Sequence, residues 1–355
     1  MEEREKEVKI LGAGLSGLTA GITLAREGYD VKIFEKNSGI GGRFNGDFEG
    51  IQNWTDERDI LDIFQEMGLE TDFYSKPFSE LEVGDGREEW VEKGFEETLF
   101  YLVKRGNFEG SIDRSLKRQA EREGVEIIFG QERNEAEVDI VSTGPDPEHL
   151  FAAAKGIRFK TDMKDIAVGV VNDSMGYKGY AYLLVSDGKG CMCSVALGET
   201  ERLEENFENA RKLFQDRYDL EIEDPEQVGG VGNFQRNPKL EEENGKLFTG
   251  EAAGIQDFLW GFGMDKAIKS GYMAAKSIIE DKDYREMVGE EIIPQMRSSV
   301  VNRFMWEKMP ERKVLRRLRD TEKGIGLLRK NYNHPVSHKI SYPFISFMMK
   351  RNYPI

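Results

Sequence analysis

The sequence predicts an α/β fold in which a parallel, nucleotide-binding sheet is assembled from separated stretches, an antiparallel sheet is inserted, and a helical C-terminal region follows. Three observations carry that prediction. A strand, glycine turn, helix and second strand follow one another at the N-terminus; a glycine-rich loop with one carboxylate precedes a helix more than two hundred residues later; a hairpin-forming stretch lies between them.

The first element is EVKILGAGLSGLTAGITLAREGYDVKIFEK. An apolar run from Val8 to Leu11 leads into Gly12, Gly14 and Gly17 at G-x-G-x-x-G spacing, then a helical stretch, then a second apolar run ending at Glu35. Gly12 permits the tight turn, Gly14 lets a pyrophosphate approach the backbone, and Gly17 lets the helix pack on its strand, so the helix N-terminus can receive phosphate charge. Glu35 falls eighteen residues after Gly17, where a carboxylate can take ribose hydroxyls. Leu15 and Ser16 inside the turn, and Lys36 beside the acid, are assigned to the same cofactor site. NSGIGGRF then supplies Gly39, Gly41, Gly42 and Arg43, a second glycine turn whose arginine can reach anionic oxygens.

The late loop is GEAAGIQDFLWGFGMDKAIKSG, Gly250 to Gly271. A helix beginning near Met264 would aim free N–H groups at a ligand, and Asp265 reads as its cap. With the two N-terminal turns, this loop resembles the FAD-binding fold shared by glutathione reductase, para-hydroxybenzoate hydroxylase and the geranylgeranyl reductases. The resemblance implies FAD as cofactor. It also implies that Gly250-Glu251 stands where that group has G-D at the ribityl chain, and that Gly261-Phe262-Gly263 and the helix from Met264 cover the pyrimidine side of the flavin.

Further segments extend the resemblance, which covers roughly residues 7 to 280. GSIDRSLKRQAEREGVEIIFG looks like the family's R-x-x-L helix and adenine-side strand, with Arg114 as the cofactor-side arginine. VDIVSTGPDP ends a strand at Thr143-Gly144, where Gly144 keeps the family's turn. YKGYAYLLVSDGKGCMCSVALG resembles the Y-x-W-x-F-P strand and hairpin of the geranylgeranyl reductases: Tyr180 matches, whereas Tyr182, Leu184 and Val185 replace Trp, Phe and Pro. Tyr180, Tyr182, Cys191 and Cys193 are the candidate substrate-pocket residues. In C-M-C, strand alternation puts both thiols on one face, and two thiols with three scattered histidines make no metal site. Phe73, Tyr74 and Trp90 read either as pocket lining or as core.

Composition narrows the function classes. At 355 residues the chain can hold two domains with a real core. MEEREKEVKI lacks the apolar stretch of a signal peptide, and no apolar run approaches a membrane span, so a cytoplasmic location is expected. The chain carries −16 overall, yet residues 301–355 hold 13 Lys or Arg against 4 Asp or Glu. KVLRRLRDTEKGIGLLRK and ISYPFISFMMKRNYPI therefore read in two ways: a basic, apolar tail lying on the inner face of an anionic membrane, or a helix packed on its own acidic body. Nucleic acid is excluded as a partner by the acidic body.

The expected organisation is a discontinuous FAD-binding domain of residues 1–75, 108–155 and 245–285, a substrate-binding sheet of residues 76–107 and 156–244, and a basic helical region of residues 286–355. No Ser-His-acid order is present, and His149, His334 and His338 lie outside the cofactor motifs, so no catalytic residue is assigned. The geranylgeranyl reductase resemblance implies reduction of carbon–carbon double bonds in an apolar prenyl lipid, with the electron donor unidentified. Two alternatives remain open: an aromatic monooxygenase of the para-hydroxybenzoate hydroxylase type, or a non-catalytic FAD-stabilised lipid-binding or electron-carrier protein.

Overall fold

The computed structural model describes residues 6–146, 150–309, 315, 319 and 325–349. A five-stranded parallel sheet is built from β1 (Glu7–Leu11), β2 (Asp30–Glu35), β8 (Glu126–Phe129), β9 (Ile140–Val141) and β15 (Leu247–Phe248), in the order β15-β9-β1-β2-β8. Three separated stretches thus meet in one sheet. Central β1 buries Val8, Ile10 and Leu11, as a strand covered on both faces must.

Helix α1 (Leu15–Arg26) buries every residue from Leu15 to Leu24, because it lies on the sheet and also contacts α3 (Ile112–Arg122) and α5 (Met264–Glu280). The approach of α5 is close enough to exclude a side chain: a Cβ on Gly271 would sit 2.1 Å from the Ser16 carbonyl oxygen. A short helix, α2 (Ile60–Glu66), is capped by Asp59 and joins this core through Ile60, Ile63 and Phe64.

A seven-stranded sheet contains β5 (Glu80–Gly84), β6 (Trp90–Gly94), β10 (Ala152–Lys160), β11 (Ile166–Val170), β12 (Tyr180–Ser186), β13 (Lys189–Leu197) and β14 (Glu223–Gly232), ordered β14-β10-β13-β12-β11-β5-β6. It is antiparallel at every pair except β5–β11. The β12–β13 hairpin turns through Asp187 and Gly188, with φ of 51° and 72°, the left-handed pair that matches strand twist in a two-residue turn. One face of the sheet is covered by α4 (Leu203–Tyr218) through Phe207, Ala210 and Phe214. The other carries Tyr182, Leu184, Cys191 and Cys193, and meets a three-stranded sheet of β3 (Phe48–Gln52), β4 (Ser75–Phe78) and β7 (Phe100–Lys104). The stretch from 76 to 107 therefore divides between the two sheets.

The C-terminal region comprises α6 (Tyr284–Glu291), α7 (Ile293–Glu307), α8 (Ile325–Asn333), a π-helical turn (Val336–Ser341) and α9 (Tyr342–Met349). Tyr342, Ile345 and Met349 of α9 are buried with Val300 and Val301 of α7 and with Phe258. Most of the expected basic helix, and His149, lie outside the described residues. Among the described residues, no helix is long and apolar enough to cross a membrane.

Candidate functional site

A cavity of 1220 Å³ runs from the C-terminal ends of the parallel strands to the face shared by the other two sheets. A single drug-sized ligand occupies roughly 300–1,000 Å³, so this space suits a long cofactor with a second molecule beyond it.

At one end β1 delivers the chain into Gly12, whose φ of +100° and close approach to the Ser142 carbonyl exclude any side chain. Gly12, Gly14, Leu15 and Ser16 line the cavity, whereas Gly17 does not. Gly17 packs instead: a Cβ there would lie 2.1 Å from the Gly12 oxygen. Glu35 ends β2 and lines the cavity with Lys36. Its carboxylate accepts from Ala13 N at 3.0 Å and from Asn37 N at 2.9 Å, which fixes it across the glycine turn. Gly144 lines the same end, after β9.

The second glycine turn and the late loop come together. Arg43 Nη1 lies 2.9 Å from Glu251 Oε2, and Nη2 donates to the Val231 carbonyl at 2.8 Å; Glu251 Oε1 accepts from Asn233 N at 3.1 Å. Burial pushes the Glu251 carboxyl up, and the Arg43 guanidinium opposes that shift. Gly42, Arg43 and Glu251 line the cavity; Gly250 lies just behind, donating its N–H to Ser270 Oγ at 2.9 Å. The glycines of β14 from Gly229 to Gly232 line it too. They carry no family spacing, and strand reasoning alone gives them no role.

Gly261, Gly263 and Met264 also line the cavity, with Gly263 at the N-cap of α5. This loop is held from behind: Asp257 Oδ1 accepts from Leu259 N and Trp260 N, and Gly261 N donates to the Asp257 carbonyl. Burial raises the Asp257 carboxyl, and the Lys266 ammonium opposes it. Asp265 is not the helix cap. It is the second residue of α5, buried, and accepts from Gln52 Nε2 at 2.9 Å beside Lys266.

Arg114 is likewise displaced from its expected role. It sits outside the cavity lining and pairs with Glu109 at 3.3 Å, because α3 starts at Ile112 and turns Asp113, not Arg114, inward. An arginine that does line the cavity, besides Arg43 and Arg133, is Arg105, just after β7. Its Nε and Nη2 donate to Asp113 at 2.9 and 3.1 Å, and its Nη1 donates to Glu49 at 2.8 Å. Burial works against the Arg105 charge, but these two carboxylates outweigh it and hold the guanidinium well above its ordinary pKa. An arginine ending an apolar strand before Gly106 was the only available signal, and it has no motif.

Toward the seven-stranded sheet the lining changes. Tyr180, Tyr182 and Cys193 face the cavity; Cys191 is buried on the same strand face without reaching it. The Tyr180 hydroxyl donates to the Trp260 carbonyl, so this tyrosine ties the sheet to the Gly261 loop. Burial pushes the Tyr182 phenol up, and its hydrogen bond with Cys193 and burial together raise the Cys191 thiol, so these groups stay neutral. Asp47 also lines the cavity; burial, then the Glu49 carboxylate, raise it to about 6. Phe73, Tyr74 and Trp90 do not line it: Phe73 is core, Tyr74 bonds Ser186, and Trp90 lies under the Arg217 guanidinium at 3.7 Å. His334 and His338 lie elsewhere.

The residues present fit FAD. Both helices that begin at the cavity, α1 after Gly14 and α5 after Gly263, lack a side-chain cap, so their positive ends would be available to a pyrophosphate and to the electron-rich edge of a flavin ring. Carboxylates stand at two separate points of the cavity, Glu35 across the first glycine turn and Glu251 beside Arg43, where the hydroxyls of FAD's two sugar-like segments would be accepted.

The NAD(P)-binding Rossmann-like domain family matches residues 10–48. A 4,4'-diaponeurosporene oxygenase from Staphylococcus haemolyticus is 46% identical over 41 residues, which is 12% of this chain and only 8% of that protein. A geranylgeranyl bacteriochlorophyll reductase-like protein from Thermoplasma acidophilum superposes with a TM-score of 0.68 at 15% identity, covering 98% of this chain and 96% of the other. The chain has the FAD-dependent oxidoreductase fold. CtdE, solved with FAD and a substrate, shares it with a TM-score of 0.55 at 13% identity, over 96% of this chain and 99% of that one.

Proposed function

We propose that this oxidoreductase binds FAD along the cavity and, with electrons from an external donor, reduces carbon–carbon double bonds of an apolar prenyl lipid. The observation that carries the substrate reading is the cavity wall formed by the seven-stranded sheet. The strands of the seven-stranded sheet line the cavity with residues such as Leu81, Val83, Val168, Val170, Tyr182 and Leu184, and with no charged side chain. A small aromatic acid would ask for an anchoring cation there. An isoprenoid chain asks only for apolar surface.

Bound FAD would supply the hydride chemistry. The chain's own residues bind, orient and exclude water: Glu35 takes the adenosine ribose, Arg43 and Glu251 the linker between the phosphates and the ring, and the N-terminus of α5 the ring's electron-rich edge. Tyr180 and Asp257 fix the loop that precedes that helix. Asp47, protonated to about pH 6, is the candidate group to hand a proton to the reduced bond.

The test is anaerobic. Photoreduced enzyme mixed with a geranylgeranyl lipid should reoxidise, and the lipid should gain hydrogen without oxygen. If prenyl lipids leave the reduced flavin untouched while a phenol in air is hydroxylated, the monooxygenase reading replaces this one. If neither turns over, a carrier role does.

A further inference from the structure

Helix α9, YPFISFMM, is apolar around its circumference but covered on one side only. Tyr342, Ile345 and Met349 face inward, whereas Phe344 and Phe347 are 68% and 75% exposed. Ile340, in the preceding π-helical turn, is 69% exposed, and Val336 and Met348 are exposed with it. Positions 340, 344 and 347 recur at one-face helical spacing, so these side chains form a stripe rather than scattered surface residues. Contiguous exposed aromatics of this kind mark a surface that something covers.

The charges around the stripe say what covers it. Residues 325–349 contain Arg329, Lys330 and Lys339 and no Asp or Glu, in a chain with 66 acids against 50 bases; Lys350 and Arg351 follow in sequence. Arg329 pairs with Glu97, while Lys330, Lys339 and Arg297 of α7 are exposed, with the Arg297 guanidinium 5.3 Å from the Tyr342 ring. An apolar stripe flanked by cations, on a body that carries the opposite charge, orients itself on an anionic lipid surface: the rings enter the acyl boundary, the cations meet phosphates, and the acidic body is pushed outward.

We propose that the turn from Val336 and helix α9 form a membrane-docking face specific for anionic lipid. The two sequence readings of the tail then describe two sides of one helix, the inner packed and the outer free to insert. The helical region behind this face reaches the cavity wall, since Tyr332 stacks edge-on against Trp54 at 6.3 Å and Trp306 against Trp260 at 5.0 Å. The docking proposal does not rest on the substrate assignment, because it is read by binding alone.

Deleting the tail is the wrong test, as it would strip Tyr332, Tyr342, Ile345 and Met349 from the core. Point substitutions on the exposed side avoid that. Flavin-loaded protein is sedimented with vesicles of phosphatidylcholine alone and of phosphatidylcholine mixed with phosphatidylglycerol. The wild type should pellet with the mixed vesicles and be released by salt, screening being effective beyond about 10 Å at 0.1 M. Phe344→Ser with Phe347→Ser should weaken binding by about tenfold or more, with flavin content and melting temperature unchanged, and Lys339→Glu should weaken it less. Wild type left in the supernatant, or a double variant that pellets like wild type, overturns the proposal. So does a wild-type dimer in light scattering that the double variant disperses, which would make a second copy the occupant.

Discussion

The two ends of the cavity are built on opposite principles. At the cofactor end the backbone does the recognising: side chains are removed at Gly12, Gly14 and Gly42, and two arginines are tied to carboxylates, Arg43 to Glu251 and Arg105 to Asp113 and Glu49. At the sheet end the side chains do it, and the strands of the seven-stranded sheet contribute no charge. A site made of backbone tolerates little substitution where, as at Gly12, a Cβ would strike a carbonyl. A site made of apolar side chains can be reshaped one methyl at a time. The difference explains how the cofactor can be read from spacing while the substrate must be read from shape.

Arg105→Ala should break the cofactor end most severely. It strands Asp113 and Glu49, and removing one partner of a buried ion cluster costs about 3–5 kcal/mol. Urea unfolding would measure it, and a loss well under 1 kcal/mol would mean that water already reaches these charges. Asp47 gives a comparable effect of opposite sign. Its carboxyl stands at about 6 against an ordinary 3.8, so the folded state holds the proton more tightly. That stability is present at low pH and is lost as pH rises through the folded value, by up to about 3 kcal/mol. Asp47→Asn should therefore stabilise the protein above pH 6 and flatten its unfolding midpoint across that range.

Glu251→Ala should weaken FAD affinity by about 10- to 100-fold, the value of a charge-assisted contact worth roughly 1.5–3 kcal/mol, and Glu35→Ala should do the same from the other end. Titration of the apo-protein would decide. Glu251→Asp should fall between, since both carboxylate oxygens are engaged and one methylene of reach is lost. The smallest expected effect belongs to the sheet wall. Leu184→Ala should lower kcat/KM for a long apolar substrate by about tenfold and leave FAD affinity untouched. A change in FAD affinity there would erase the division between the two ends.

The nucleotide unit was legible because its glycines answer a geometric demand that sequence spacing records. The same holds for Gly261 and Gly263. Arg114 misled because neighbouring residues on a helix point about 100° apart. Its neighbour Asp113 faces inward, and the arginine that meets it, Arg105, comes from a strand with no motif of its own. Asp265 looked like a cap by residue type, yet Gly263 holds that position and the carboxylate is spent on Gln52 and Lys266. Gly229 to Gly232 and Gly271 stayed silent because their purpose lies in a partner segment far away in sequence.

That last glycine sets an order of events during synthesis. With Gly271 against the Ser16 carbonyl, α5 is seated on the first turn of α1, and the loop leading into it brings Glu251 to Arg43. A nascent chain emerging from the ribosome has four of its five parallel strands and the first glycine turn long before it has residues 264–280, so it can offer a phosphate turn but no grip on the ring. Completion of the site must therefore wait until this late helix has cleared the exit tunnel, more than two hundred residues after the first glycine turn.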